Sequence, residues 1–186
     1  NRGDSNTAVG YRAGYSNTTA TGITLLGYKA GYYNTSGNNN TLIGYESNYG
    51  ESGDAISNVT SVGYQCLRTN KGNSNTAVGY RAGYSNSTGT NNTYIGYQAG
   101  YNHTGSNNVF IGHGAGASSS NSTNDKLYID NAANGTDSLI YGDFTSSSRK
   151  VTINGDLYVK DNQSLYISGT GKLYVGGTSK IDIDSN

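Results

Sequence analysis

The acidic and histidine side chains are the first places to look for catalysis in this chain. Glu46 and Glu51 are its only glutamates, and they flank the start of an irregular stretch, Tyr49-Gly-Glu-Ser-Gly-Asp54. A carboxylate pair is the acid and base of glycoside hydrolases. His103 and His113, the only histidines, lack the spacing of a zinc site or a catalytic triad. Because no aromatic cleft accompanies the glutamates, we expect no catalytic residue and no enzyme activity.

Three other motifs also have plainer structural interpretations. Arg2-Gly-Asp4 matches the integrin tripeptide, but the equivalent positions of the repeat described below carry Lys71-Gly-Asn73, which favours a polar turn. Asp130-Asn-Ala-Ala-Asn-Gly-Thr-Asp137 fits neither an EF-hand nor a calcium-binding solenoid repeat. Cys66, the single cysteine, shares its repeat position with Ala and Ser, so we expect a buried, unreactive thiol. No metal and no cofactor are expected.

The composition excludes several classes of protein. The 186 residues include 28 Gly and 18 Tyr but no Pro, Met or Trp, and the hydrophobic fraction is only 33%. The formal net charge of +0 argues against a nucleic-acid partner. No apolar run approaches the ~18 residues that a transmembrane helix needs, so no membrane insertion is expected.

The dominant feature of the sequence is a repeat. A glycine that follows an aliphatic residue and precedes Tyr or His recurs at steps of 17, 17, 19, 16, 17 and 16 residues; these anchor glycines are Gly10, Gly27, Gly44, Gly63, Gly79, Gly96 and Gly112. Residues 5–17, SNTAVGYRAGYSN, recur unchanged at 74–86, so four coils form a larger unit of 69 residues. Because residues 1–4 already align with 70–73, we expect the parent protein to continue upstream.

Each coil predicts one short β-strand that ends at its anchor glycine. The apolar runs are short, and glycine is dense, which disfavours helix. We therefore predict an all-β fold, a parallel β-solenoid or roll of about seven coils whose strands stack at ~4.8 Å. The position four after each anchor glycine is usually Gly, and Asn48 there indicates a positive φ. Leu67 breaks that column, so we expect the fourth coil to turn differently.

The strand pattern also predicts the oligomeric state. Residues one and two positions before the anchor glycine are both mostly apolar, although adjacent side chains of a strand point to opposite faces. Both faces should therefore be buried. A coil of about 17 residues is too thin to cover both faces by itself, so copies of the chain should cover the second. A cyclic homotrimer suits such a rod.

Two kinds of column form candidate binding surfaces. Threonine lies three before the anchor glycine in six successive coils; this threonine column is Thr7, Thr24, Thr41, Thr60, Thr76 and Thr93. On a solvent-facing sheet it would be a flat array suited to ice or a crystalline polymer, and at a turn it would only link neighbouring coils. We favour the structural role.

Tyrosine forms two further columns. The first tyrosine column is Tyr11, Tyr28, Tyr45, Tyr64, Tyr80 and Tyr97, followed by His113, for which we expect a packed or capping ring. The second tyrosine column is Tyr15, Tyr32, Tyr49, Tyr84 and Tyr101. We expect the first to be largely packed and the second to lie nearer the surface, where exposed rings would form platforms for sugars.

The pattern changes after the seventh coil. We predict three regions: the repeat roll over residues 1–117, a connecting β region over 118–150 and a stalk over 151–186. The connecting region contains two expected strands, 126–130 and 138–144. In the stalk, Leu157, Leu165, Leu173 and Ile181 recur every eight residues, a unit too short to close a core within one chain. It predicts a thinner, intertwined three-chain β-helix.

The repeat resembles those of bacteriophage tail fibres and of trimeric autotransporter adhesin heads. The similarity lies in Asn-Thr-(Ala/Leu/Tyr)-(Val/Ile)-Gly-Tyr-x-Ala-Gly-Tyr, although Asn6-Thr-Ala-Val-Gly10 is one residue shorter than the adhesin motif. The tail-fibre similarity continues through Asn107-Asn-Val-Phe-Ile-Gly-His-Gly-Ala-Gly116, Lys126-Leu-Tyr-Ile-Asp-Asn131 and Leu139-Ile-Tyr-Gly-Asp-Phe144. It covers residues 5–155 and implies a left-handed, homotrimeric β-roll in an extracellular fibre, on a virion or a cell, that carries attachment.

We therefore expect a structural and attachment segment of a trimeric fibre, with a cell-surface glycan or another host surface as a candidate partner. The alternative is a solenoid that binds ice or polysaccharide through its threonine or tyrosine columns.

Overall fold

The computed structural model describes residues 3–117, 122–131, 138–147 and 149–158. The chain divides into two units, Asn1–Gly155 and Asp156–Asn186, and only residues 156–158 of the second are described. The intertwined stalk and all but the first residues of its eight-residue repeat lie outside the described residues. The boundaries after residues 117 and 150 stay predictions.

Seven short strands, one in each coil, form the predicted ladder. Every strand ends immediately before its anchor glycine and pairs in parallel with its neighbours, Thr to Thr through the first six coils and Thr93 to Val109 at the last step. The strands are β1 (Thr7–Val9), β2 (Thr24–Leu26), β3 (Thr41–Ile43), β4 (Thr60–Val62), β5 (Thr76–Val78), β6 (Thr93–Ile95) and β7 (Val109–Ile111). The columns read from the sequence are therefore confirmed as the register of a parallel β-solenoid of about seven turns.

The sheet continues beyond the seventh coil. Strand β8 (Lys126–Ile129) pairs in parallel with β7 as an eighth rung. Strands β9 (Ile140–Asp143) and β10 (Lys150–Ile153) then pair antiparallel, β8 with β9 and β9 with β10. The two strands expected in the connecting region are confirmed, and they extend one ten-stranded sheet in chain order.

The core of the solenoid is narrow and is built around one column of side chains. The residue two before each anchor glycine points inward; this inner column is Ala8, Leu25, Leu42, Ser61, Ala77, Tyr94 and Phe110, and all but Ala8 are buried. The small residues three after each glycine close it from the far side, and Ala30, Cys66 and Ala99 are fully buried. Burying a Leu or Phe side chain contributes ~1.5–3 kcal/mol, and the buried side chains of Ile23, Ile56, Val59 and Leu67 extend this core beyond the inner column.

Buried asparagines satisfy the backbone where the coil turns toward its strand. Asn40 accepts from the Val59 N–H (2.9 Å) and donates to the carbonyls of Gly37 and Ile56. Asn75, Asn92 and Asn108 repeat this role in later coils. Each amide links its own coil to the next, which removes the cost of an unpaired buried backbone group.

The anchor glycines are required by the backbone. Their φ angles lie between 118° and 141°, a region that only glycine adopts readily. A Cβ atom on Gly10 would overlap the carbonyl of Gly27 in the next coil, and the same overlap recurs along the column. The close stacking of coils therefore depends on these glycines.

The fourth coil does not turn differently, so that prediction is wrong. Leu67 adopts φ 49°, the same left-handed conformation as Gly14 (62°) and Asn48 (42°). A β-carbon in this region costs ~1–2 kcal/mol, but the Leu67 side chain is fully buried in the core. Burial of about the same magnitude offsets the strain.

Candidate interaction surface

The outer face of the sheet carries two of the columns side by side. Residues one before the anchor glycines form the outer aliphatic column: Val9, Leu26, Ile43, Val62, Val78, Ile95 and Ile111. These side chains point away from the core and are exposed or half-buried in the single chain, Val9 by 56% and Ile95 by 40%. The threonine column lies on the same face, exposed at Thr7 and Thr24 and half-buried beyond.

This face ends in a groove at the last rungs of the ladder. A depression of about 270 Å³ is lined by Ile111, Gly112, Ile129, Asp130, Asn131 and Leu139. Ile129 lies beside Ile111 in the sheet register, and Leu139 is 54% exposed. The outer aliphatic column therefore opens directly onto a further apolar surface.

The threonine column does not link the coils in the way that a turn position would. Within the described residues, side-chain hydroxyl bonds between neighbouring coils come from other positions: Thr18 donates to the Thr35 carbonyl (3.0 Å), Thr69 donates to that of Tyr84 (3.0 Å), and Ser47 donates to that of Ser61 (2.9 Å). The column itself forms a row in register on the outer face, which the surface-binding interpretation also requires.

The rings of the first tyrosine column form a continuous stack. This stack lies on the other side of the anchor glycines from the outer aliphatic column. Neighbouring rings from Tyr11 to Tyr97 are nearly parallel, with centroids 4.8–5.4 Å apart. His113 closes the stack against Tyr97 at 4.9 Å, so its packed ring is confirmed. The expected depth is wrong: these tyrosines are exposed in the single chain, Tyr11 by 59%.

The second tyrosine column is the deeper of the two, contrary to the prediction. Tyr32 is only 9% exposed, and Tyr49, Tyr84 and Tyr101 are half-buried; Tyr15, at the open end, is exposed. Tyr33 packs edge-on against Tyr32 and Tyr49, which explains the burial in the third coil.

Cations lie between the two tyrosine columns. Arg12 lies over Tyr11 and Tyr15 (5.2 and 5.1 Å to the ring centres), and Arg81 lies over Tyr80 and Tyr84 (5.2 and 5.4 Å). In the fourth coil Arg68 takes the place of tyrosine and lies near Tyr49 and Tyr84. Each contact contributes ~0.5–1 kcal/mol at an exposed site.

The stacking limits how these rings can bind sugars. A sugar platform needs an open ring face, but in the first tyrosine column both faces of every ring from Tyr28 to Tyr97 lie against the rings of the coils on either side. The edges and hydroxyl groups of the first tyrosine column remain exposed. A ligand of this surface would therefore meet a row of phenol edges rather than flat aromatic platforms.

The two glutamates have separate structural partners. Glu46 is nearly buried and accepts from Arg68 Nε (2.9 Å) and Gln65 Nε2 (2.9 Å). Burial alone would raise the pKa of Glu46, but these hydrogen bonds outweigh it and lower the pKa. Glu51 pairs with Lys71 (2.6 Å) on the exposed side. A carboxylate held ionised by Arg68 is suited to linking the third and fourth coils, and not to donating a proton.

His103 and Cys66 are core residues. His103 is fully buried, with its ring nitrogens 3.3 Å from the Tyr94 hydroxyl and 3.1 Å from Thr123 Oγ1. Burial lowers its pKa to about 4. Cys66 is fully buried, as predicted, and burial raises the pKa of its thiol to about 12.

Several motifs have no assigned site. Within the described residues, no group of three or more His, Cys, Asp or Glu side chains could hold a metal ion. In that same part of the chain, no helix is long and apolar enough to span a membrane. Arg2 and residues 132–137 lie outside the described residues. Comparison with family models, curated proteins and solved structures finds no match.

Proposed function

We propose that this chain is a structural and attachment segment of an extracellular homotrimeric fibre. The observation that carries the proposal is the outer aliphatic column, seven successive apolar side chains on one sheet face that the described residues leave exposed or half-buried. Contiguous apolar surfaces of this kind mark protein–protein interfaces.

Further copies of the same chain fit this face best. The column repeats with every coil, and a second identical solenoid presents the same repeat. In two copies related by rotation about an axis parallel to the solenoid, equivalent strands lie at the same level along the whole length. The resulting contact is cyclic, and three copies would enclose the three apolar faces around one axis. The resemblance to tail fibres and adhesin heads favours the same arrangement, including a left-handed roll.

The tyrosine surface then becomes the outer or rim surface of the fibre. The two stacks and the cations between them run along the rod beside the apolar face. Attachment to a cell-surface glycan would use phenol hydroxyls and guanidinium groups, since the ring faces from Tyr28 to Tyr97 are covered by neighbouring rings. The fibre itself would need no cofactor for this role.

Light scattering of the purified chain tests the assembly. The expected mass is three times that of the 19.5-kDa chain. Ile95→Lys should reduce it to a single chain, because three desolvated ammonium groups would face one another. The matched control is Asn102→Lys, at an exposed turn of the same coil, which should stay trimeric. A monomeric wild-type chain would contradict the proposal.

One observation favours the alternative, a solenoid that binds ice or polysaccharide. The threonine column lies on the same open face as the outer aliphatic column, and its members repeat in register from coil to coil. The two functions compete for that face, because a surface buried between chains cannot bind ice. Ice-recrystallisation and glycan-array assays of the wild-type chain test the alternative, and silence in both would remove it.

A further inference from the structure

A row of polar side chains runs between the two tyrosine columns. The residues two after the anchor glycines form this polar row: Arg12, Lys29, Glu46, Gln65, Arg81 and Gln98. All six have φ between 49° and 55°, a left-handed conformation that strains a residue with a β-carbon but not glycine. The seventh coil has Gly114 at this position, with φ 66°. Six coils thus keep a strained polar side chain where glycine fits, which indicates that these side chains have a role of their own.

The polar row carries most of the positive charge of the solenoid. Residues 3–117 contain five cations, and three of them, Arg12, Lys29 and Arg81, belong to the row. Each of the three lies 5.1–5.6 Å from the centres of rings in both tyrosine columns. A fourth, Arg68, lies in the second tyrosine column, where Glu46 of the row cancels its charge. The surface between the columns therefore has a net charge of +3.

The three cations are aligned along the rod. Arg12 and Arg81 occupy the same place in the two identical copies of the 13-residue sequence, four coils apart. At ~4.8 Å per coil, this separation is roughly 19 Å. Lys29 lies in the coil next to that of Arg12. A small anion reaches only one end of this line, whereas an extended polyanion reaches all three cations.

Glu46 shows which kind of anion these side chains accept. Its carboxylate accepts from Arg68 Nε and Gln65 Nε2, both at 2.9 Å. Burial alone would raise the pKa of Glu46, but these hydrogen bonds lower it, so the carboxylate stays ionised. The neighbour of Arg12 in the row is Lys29 rather than a carboxylate. A carboxylate from outside the chain would make the same kind of contact there.

The tyrosines beside the row are arranged for hydrogen bonding rather than for stacking on a ligand. Both faces of every ring from Tyr28 to Tyr97 lie against neighbouring rings. Single-stranded nucleic acids bind aromatic side chains through open ring faces, so this surface does not suit them. The edges of the rings remain exposed, and phenol hydroxyls bond the hydroxyl groups of a sugar. Together with guanidinium groups, which match carboxylates, they favour an acidic polysaccharide.

We propose that the polar row and the first tyrosine column bind a linear polysaccharide that carries carboxylate groups. Arg12, Lys29 and Arg81 pair with carboxylates of the polymer, and the phenol hydroxyls bond its hydroxyl groups. A polymer that lies along the rod contacts both Arg12 and Arg81, so its second contact forms at a high effective concentration. The inference rests on the proposed attachment function, because it names the class of glycan that the fibre would bind.

Biolayer interferometry with immobilised polygalacturonate and the full chain in solution tests the inference. The wild-type chain should bind, and its affinity should fall as salt is added, because ions screen exposed charges. Lys29→Gln and Arg81→Gln together should weaken binding by about tenfold or more, since the polymer loses two of its three cations. Glutamine already occupies this row at Gln65 and Gln98 with the same positive φ, so the fold should be retained.

A conservative variant tests the guanidinium contact. Arg81→Lys should bind with an affinity between those of the wild type and Arg81→Gln, because an ammonium keeps the charge but lacks the planar guanidinium.

The matched control removes the same charge elsewhere. Lys71 and Arg149 are exposed and lie outside the row, so Lys71→Gln with Arg149→Gln should leave the affinity nearly unchanged. Equal weakening in both double variants would overturn the proposal, because net charge alone would then explain the binding. Equal binding to neutral dextran, or tighter binding to sulfated dextran of the same charge density, would also overturn it.

Light scattering of the same variants separates this inference from the proposed fibre. Loss of polygalacturonate binding in the Lys29→Gln and Arg81→Gln variant at an unchanged mass supports the inference. A wild-type chain of threefold mass that binds neutral glycans but not polygalacturonate would overturn the inference and leave the proposed function standing.

Discussion

At the scale of single residues, one column position of the interior usually carries a buried asparagine. Asn34, Asn70 and Asn86 occupy the position seven after the anchor glycine and bond nearby backbone carbonyls. In the sixth coil His103 takes this position, and its ring contacts Tyr94 and Thr123 instead. A titratable group has thus entered a position where a neutral amide is usual.

The first prediction concerns acid stability. Because burial lowers the His103 pKa to about 4, the unfolded chain, with an ordinary His pKa near ~6.5, binds more protons between those values. The stability that neutral His103 contributes is complete above pH ~6.5 and is lost as the pH falls toward ~4, at about 1.4 kcal/mol per pH unit at most. Urea denaturation across this range should show the loss.

The control for this prediction restores the usual residue of the column. His103→Asn should remove most of the pH dependence between about 4 and 6.5, while retaining a side chain that can bond the backbone as Asn86 does. An unchanged slope in the variant would show that another group is responsible.

At the scale of the coil, the sequence predicts the strands better than the corners. Columns of Thr, an aliphatic residue and Gly recur in six coils, and Val109 replaces only the Thr in the seventh, so the register could be predicted residue by residue. The conformation of Leu67 could not be predicted in this way, because the burial of its side chain outweighs the cost of a positive φ at a leucine. Arg12, Lys29 and Arg81, two positions after their anchor glycines, also have positive φ. In the sequence, only Gly114 at the same position of the seventh coil indicated a positive φ there.

The sequence predicts which residues form the candidate surface, but not how deeply their side chains are buried. The repeat predicts that equivalent tyrosines stack in columns. The exposure of each tyrosine column depends on which way the backbone bends at the anchor glycine. Tyr33, an extra ring outside both columns, packs over Tyr32 and Tyr49 and buries them. No periodic signal marks that contact.

A glycine substitution tests the close stacking of coils. Gly96→Ala should destabilise the fold by at least ~2 kcal/mol, since the new Cβ would overlap the Gly112 carbonyl at φ 132°. The matched control is Gly53→Ala, where φ is also positive (92°) but no atom lies within 4 Å of the new Cβ. Urea midpoints compare the two. An equal loss in both would show that backbone strain, and not the overlap between coils, sets the cost.

At the scale of the whole molecule, the solenoid has one apolar surface inside each chain and a second outside it. Apart from Ala8, the inner column is buried within the described residues of a single chain, whereas the outer aliphatic column is exposed or half-buried there. Thin coils gain too little core by themselves. If three copies share the outer column, every strand has apolar contacts on both faces, which explains why two adjacent positions of such a polar sequence are aliphatic.

Two alanine substitutions separate the inner surface from the outer one. Leu42→Ala removes a fully buried side chain and should cost ~2–5 kcal/mol. Ile95 is 40% exposed in the single chain, so Ile95→Ala would cost much less there than at a buried site. In the assembled fibre it should cost nearly as much as Leu42→Ala, because partner chains would cover it. Denaturant unfolding at one concentration measures both, with exposed Asn102→Ala as the reference. A cost for Ile95→Ala no larger than that of Asn102→Ala would leave the outer face open, and the fibre would then need another explanation for its aliphatic column.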